Sequence, residues 1–253
     1  MEHTGFSHSR CGDVTPRVDS AHRPRGAGSP TKGAEMSAVR VHNLAVSLDG
    51  FATGEDQRLE APFGHAGTRL MEWFFPTATF QGMSGDRERQ AVDPATEADD
   101  AFARRTLEGI GVEIMGANKF GPPGWHDDPE WRGWWGENPP FHTPVIVLTH
   151  RQHEPIELEG GTTFHFMSAS PAEALEAARS FAGDLDVRLG GGATTVREFL
   201  AAGLVDMLHV VQVPILLGRG ERLWDGLEGL ETGYNVTSET TPSGVTHIVF
   251  DRR

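Results

Sequence analysis

An apolar run, Val187-Arg188-Leu189, passes into three consecutive glycines, Gly190-Gly191-Gly192, and a helical pattern opens directly behind them in Ala193-Thr194-Thr195-Val196. Few architectures accept that order. A strand that turns straight into a helix returns to its sheet through that helix, and such crossovers join parallel strands. The alternation recurs along the chain. Thr96 is a helix N-cap candidate, and Ala101, Phe102, Leu107 and Ile110 supply an apolar side before the strand pattern of residues 111–116. Ser170 and Pro171 open a second helix over 171–182, and residues 66–75 read as a short third one. Strand patterns also occupy 39–48, 144–150 and 162–167, with a hairpin around Glu159-Gly160-Gly161. Residues 204–218 read as a strand pair or one long bent strand, and 234–251 as two strands joined by a Pro-Ser-Gly turn. These patterns predict an α/β fold: a mostly parallel central sheet with helices on both faces and an antiparallel C-terminal edge.

Composition divides the chain. Residues 1–36 are rich in Gly, Pro, Ser, Arg and His and nearly free of large apolar side chains. Such a segment cannot offset its ordering entropy and is expected to be a disordered tail, with Met36 a candidate functional start. Residues 37–253 are expected to form one domain. The net charge of −14 argues against a nucleic-acid partner. Cys11 is the single cysteine, so an intramolecular disulfide and a zinc–thiolate cluster are excluded. No apolar run is long enough to span a membrane, and none near the start suits a secretory signal. The expected compartment is therefore the cytoplasm, with no membrane partner.

Three strand ends hold candidate ligand groups. The glycine run at Gly190-Gly191-Gly192 would let a phosphate approach the backbone, and the N–H groups of the following helix would face it. The spacing is not that of a Rossmann dinucleotide site, and a tight turn needing glycine for its backbone angles reads equally well. Met115-Gly116-Ala117-Asn118-Lys119 closes a buried strand, and Lys119 could meet a phosphate or simply be solvated. Thr149-His150-Arg151 closes another, and its arginine could grip a phosphate bidentately. In an open α/β sheet ligands sit beyond the carboxyl ends of the strands, where these three segments would converge.

Taken in order, Val46-Ser47-Leu48-Asp49-Gly50, Met115-Gly116, Gly190 to Thr195, Leu204-Val205-Asp206 and Pro214 to Gly218 resemble the dihydrofolate-reductase-like superfamily. They are most similar to the C-terminal reductase domain of the bacterial bifunctional riboflavin-biosynthesis deaminase-reductase, over about residues 39–251. The resemblance implies a three-layer fold, a homodimer, and NADPH delivering a hydride to a small heterocyclic or carbonyl substrate. It implies cofactor contacts from Ala45 and Val46, from Gly116, Ala117, Asn118 and Lys119, from Thr149, His150 and Arg151 at the 2′-phosphate, and from Gly190, Gly191, Gly192, Ala193, Thr194 and Thr195 at the pyrophosphate. Two positions depart from the pattern. Ala117 stands where a phosphate-binding arginine is common, and Gly190 where the riboflavin enzyme has a substrate-contacting acid. The segments 55–95 and 121–143 are additions to a minimal member.

Asp100, on the helix leading to Gly116, matches the spacing of a substrate carboxylate in dihydrofolate reductases and is a candidate proton donor. Asp99 and Asp100 also suit a helix N-terminus, the commoner task of acids there. Asp49 is a second catalytic candidate, or a turn residue in Leu-Asp-Gly. Trp125, Trp131, Trp134 and Trp135 could wall a flat substrate or fill a satellite core or interface. His126, Asp127 and Asp128 form the densest His/Asp group but lack metal-ligand spacing, so no metal is expected. The leading expectation is an NADPH-dependent reductase. Three alternatives stand beside it: a true 5-amino-6-(5-phosphoribosylamino)uracil reductase, against which Gly190 argues; a flavin- or deazaflavin-using reductase, suggested by Ala117; and a non-catalytic nucleotide-binding dimer.

Overall fold

Strand β1 (Val39–Ser47) is followed by the short β2 (Phe51–Thr53), α1 (Ala78–Met83) and α2 (Glu97–Ala103). Then come β3 (Ile110–Gly116), α3 (Ala117–Phe120), β4 (Pro144–Leu148), β5 (Ile156–Glu157) and β6 (Thr163–Met167). The chain continues through α4 (Pro171–Ala182), β7 (Asp186–Gly191), α5 (Ala193–Ala201), β8 (Met207–Val213), β9 (Glu221–Arg222) and the hairpin β10 (Tyr234–Thr240) with β11 (Thr246–Arg252). The computed structural model describes residues 37–83 and 94–253. The expected tail, 1–36, and part of the loop before α2 lie outside the described residues.

The main sheet runs β10-β11-β8-β1-β7-β3-β4-β6-β5. The strands from β8 to β6 are mutually parallel, β11 and β10 continue antiparallel at one edge, and β5 closes the other edge antiparallel to β6. The α/β class, the parallel centre and the antiparallel C-terminal edge all match the expectation. On one face α4 and α5 pack Leu175, Ala178, Val196 and Phe199 against Val112, Ile114, Val187 and Leu189. Helix α4 is delimited locally: Ser170 and Glu173 form a reciprocal capping box, with Pro171 in the first turn.

The opposite face carries two separate apolar clusters. Leu70, Trp73, Phe74 and Ala103, from the chain before β3, cover Ala45, Val211 and Val213. Trp125 and Phe141 cover Met115, Val145, Val147 and Phe164. Strand alternation puts Glu113, Arg188, His42, His209 and His247 on this same face, because their neighbours Val112, Val187, Val41, Leu208 and Ile248 point the other way. A buried polar row thus crosses the sheet between the two clusters.

Several expectations need correction. The helix expected over residues 66–75 does not form: a 3-10 turn ends at Ala66 and residues 67–75 make turns, tied by hydrogen bonds such as Phe74 N–H to Met71 O. Helix α2 ends at Ala103, a 3-10 turn covers Arg104–Thr106, and Ile110 opens β3 instead of closing the helix. Gly109, with φ of 69°, makes that break. Residues 207–213 form one strand, and Pro214, with no N–H to donate, ends it. The tryptophan segment keeps both of its expected readings open: Trp125 packs on Phe120 and Phe166 and Trp135 on Phe141 and Phe164, while Trp125, Trp134 and Trp135 also line a cleft at the strand ends.

Candidate active site

The parallel strands β1, β7, β3 and β4 end on the same side of the sheet, and a cleft of about 1900 Å³ lies there. Its lining includes Ala45, the segments Gly116–Lys119 and Thr149–Arg151, and the run Gly190–Thr195. The structure therefore brings together all the expected cofactor residues except Val46. That side chain turns to the other face and is buried in the core with α4 and α5.

The glycine run makes the cradle. Gly191 adopts φ of 116°, which L side chains avoid. Gly192 is the N-cap of α5, and a Cβ placed there would meet nothing within 4 Å. Open space thus faces the first N–H groups of a nine-residue helix, where an anion is favoured by both hydrogen bonding and the helix dipole. Gly116 serves a different need: a Cβ on it would lie 2.4 Å from Thr195 Oγ1, so glycine lets the end of β3 close on the start of α5.

Gly190 is constrained from beneath. A Cβ there would sit 2.0 Å from Glu113 Oε1 and 2.7 Å from Lys119 Nζ. Lys119 is not a free phosphate ligand. Its ammonium donates to Glu113 Oε1 at 3.1 Å and to Gly190 O at 2.5 Å. Burial pushes its pKa below the ordinary lysine value, and the Glu113 carboxylate works against that shift. Glu113 is also paired with Arg188, directly opposite on β7. At the third strand end Arg151 is exposed and only loosely engaged, 3.6 Å from Asp127 on the surface. His150 Nδ1 lies 3.4 Å from Ser168 Oγ.

The two carboxylates expected to carry chemistry have other tasks. Asp100 Oδ1 accepts the Thr79 N–H at 2.8 Å, at the start of α1, and does not line the cleft. Asp49 accepts from Ser47 Oγ at 2.6 Å and from the N–H groups of Leu217 and Gly218. Those bonds, the Ser47 hydroxyl first, hold its pKa down to about 2, and it too is absent from the lining. Its work is to dock the loop after β8 onto the turn after β1.

Sequence reasoning missed His42, Asn43, Thr106, Glu113 and Arg188. All but Glu113 line the cleft. A signal existed for Glu113 and Arg188: each is a lone charge inside an apolar strand, close before the glycine that ends it. Asn43 and His42 sit in a bulge of β1, where the register against β8 shifts between Val41 and Leu44 and Asn43 takes φ of 57°.

The model of the RibD C-terminal domain matches residues 40–246. This chain belongs to the RibD C-terminal domain family. Membership places it among reductase-type oxidoreductase domains. Among solved structures, the chain is similar to a protein from Shewanella sp. PV-4 with a provisional assignment to riboflavin biosynthesis. That pair is 21% identical with a TM-score of 0.49, covering 86% of this chain and 99% of the other. It is also similar to the Thermotoga maritima diaminohydroxyphosphoribosylaminopyrimidine deaminase/5-amino-6-(5-phosphoribosylamino)uracil reductase, at 14% identity and a TM-score of 0.47, covering 87% of this chain and 57% of that one. Acinetobacter baumannii RibD follows at 16% and 0.46, covering 86% and 58%. The chain thus spans nearly the whole Shewanella protein but only somewhat over half the length of the Thermotoga and Acinetobacter proteins. No curated protein matches it. Among the described residues no group of three metal-ligating side chains is placed to hold a metal ion, and no helix is long and apolar enough to cross a membrane.

Proposed function

We propose that this chain is an NADPH-dependent reductase acting on a small heterocyclic or carbonyl substrate. One observation carries the proposal: a glycine cradle at a helix N-terminus and two further strand ends open into one cleft. The residues fit a dinucleotide. Gly191, Gly192 and the first N–H groups of α5 would hold the pyrophosphate, while Thr149, His150 and Arg151 would hold the 2′-phosphate. When bound, NADPH supplies the hydride. The chain's own residues bind and orient. Lys119, held by Glu113 and the Gly190 carbonyl, fixes the glycine run from below. The apolar side chains of Leu70, Phe74 and Phe80 keep water from part of the cleft.

A flavin or deazaflavin is the second reading, favoured by Ala117 and by the engagement of Lys119 with Glu113, which leaves few cations for phosphate. A thermal-shift panel of NADPH, NADH, oxidised flavins and deazaflavin separates the two. A ligand present at a hundred times its Kd stabilises by about 2.7 kcal/mol. A shift with NADPH alone supports the proposal, and a shift only with a flavin or deazaflavin replaces it.

A further inference from the structure

Part of the cleft wall is apolar, formed by Leu70, Met71, Phe74, Phe75, Phe80 and Met83. The polar side chains of the same cleft that the dinucleotide proposal does not use include His42, Asn43 and Thr106. These three are neighbours. Asn43 Nδ2 donates to Ala103 O at 3.4 Å, and the turn holding Thr106 follows Ala103 directly and packs on β1. His42 is 5% exposed and Thr106 2%. Yet His42 Nε2, Asn43 Oδ1 and Thr106 Oγ1 have no hydrogen-bond partner among the described residues. An unpartnered buried polar atom costs free energy, so three of them beside one cleft point to a ligand that completes them.

The backbone there is built for display. The β1 bulge turns His42 and Asn43 toward the cleft, and a buried chain holds it: the Asn43 N–H meets His209 Nδ1 at 3.3 Å, His209 meets His247 at 2.9 Å, and His247 meets Asp99 at 2.9 Å. The donor pattern then defines the complement. With one Nδ2 hydrogen on Ala103 O, Asn43 keeps its Oδ1 as an unpaired acceptor beside the cleft. Thr106 offers a hydroxyl that can donate beside it, and the neutral His42 ring can serve in either sense.

We propose that His42, Asn43 and Thr106 form a substrate subsite for an uncharged, flat, mainly apolar molecule with an adjacent donor and acceptor, such as a bicyclic lactam. This rests on the reductase reading for its chemistry but not for its binding. In quinoxalin-2(1H)-one, for example, N1–H would face Asn43 and the C2 carbonyl Thr106. On reduction C3 gains the hydride from NADPH, the C=N π pair moves to N4, N4 takes a proton from water, and NADP⁺ is left.

The test titrates the full chain, with and without NADP⁺, with quinoxalin-2(1H)-one and its N1-methyl derivative, followed by ligand-observed NMR. The lactam should bind, and the methylated probe about tenfold or more weakly, because it lacks the donor. Thr106→Val should weaken the lactam about tenfold without lowering Tm, since it removes a hydroxyl that nothing in the protein satisfies. Thr106→Ser should retain affinity. Equal binding of both probes, binding of neither, or a Thr106→Val variant with lowered Tm and unchanged affinity each overturns the subsite. Preference for uridine monophosphate over the lactam overturns its uncharged character. If the lactam pattern holds while no NADPH binds, the subsite stands and the reductase reading falls; NADPH binding without the lactam pattern means the reverse.

Discussion

His209 Nε2 lies 2.9 Å from His247 Nδ1, with both rings buried on the cleft side of the sheet. Their neighbours fix the direction of this bond. His209 Nδ1 accepts from the Asn43 N–H, so its proton is on Nε2 and is donated to His247. The His247 proton is then on Nε2, facing Asp99 Oδ1, which also accepts the Thr241 hydroxyl at 2.6 Å. Phe102 stacks on the His247 ring at a centroid distance of 4.0 Å and seals the chain. The polarity works only with both imidazoles neutral.

Stability should therefore fall with acid earlier than carboxylates alone would cause. Burial, aided by neighbouring positive charges, lowers both His42 and His209 from 6.5 to about 3. Between those values the unfolded chain binds protons that the folded chain refuses, so stability rises with pH in that window and is lost as pH falls below 6.5. Each group contributes a slope of about 1.4 kcal/mol per pH unit at most. Calorimetric Tm should be flat from pH 8 to 7 and decline steadily from 6.5 to 5, a range above the ordinary carboxylate values of 3.8 and 4.5. A Tm that is level down to pH 5 would mean that these rings accept protons in the folded state.

The glycine run offers a cleaner separation of folding from binding at one position than at its neighbour. Gly191→Val would strain a backbone at φ of 116°, costing on the order of 1–3 kcal/mol. Gly192 has φ of −49° and open space above it, so Gly192→Val should cost at most about 1 kcal/mol as an N-cap change. It should nevertheless fill the cradle. Isothermal titration of the folded Gly192→Val variant should show NADPH affinity lowered by well over tenfold; undiminished affinity would remove the pyrophosphate from this site.

What could be read in advance followed local physics. The alternation around Leu189 and Ile114 and the capping signals at Ser170 each decide structure within a few residues, so the parallel sheet and the convergence of Lys119, Arg151 and the glycines were legible. What escaped was set by pairing between distant strands. Nothing near Asp99 announces that it will lie under His247, 148 residues away. Asp100, one residue on, has the spacing of a proton donor but is taken by the Thr79 N–H. The β1 bulge at Asn43 depends on register against β8, which no local pattern encodes. Lys119 reads as a surface cation because its partner Glu113 lies across the strand end rather than at a helical spacing.

Asp100 should behave as a structural acceptor. Asp100→Ala leaves the Thr79 N–H without its partner and should cost about 1 kcal/mol in urea unfolding, as loss of a helix cap does. Asp100→Asn keeps an acceptor and should recover most of that. Neither change should alter NADPH affinity, because the side chain does not line the cleft. A large loss of binding in the stable Asn variant would return Asp100 to the site.

Discrimination between NADPH and NADH must come from groups at the 2′-phosphate, the sole difference between them. Arg151 is available for that role. It is 63% exposed on its side chain, and its contact with Asp127 is long and solvent-screened, so it gives up little in turning to a phosphate. A charge-assisted hydrogen bond is worth roughly 1.5–3 kcal/mol, so Arg151→Ala should weaken NADPH by about ten- to a hundredfold. NADH affinity should barely change. Asp127→Asn, which removes the competing carboxylate, should leave NADH alone and raise NADPH affinity slightly, more at low salt than at high salt. Paired titrations of both cofactors against the parent and the two variants decide the matter. Equal weakening of both cofactors by Arg151→Ala would make the arginine structural. If the parent itself binds neither, the alanine at 117 was the better guide, and the flavin or deazaflavin arm of the thermal-shift panel should then carry the signal.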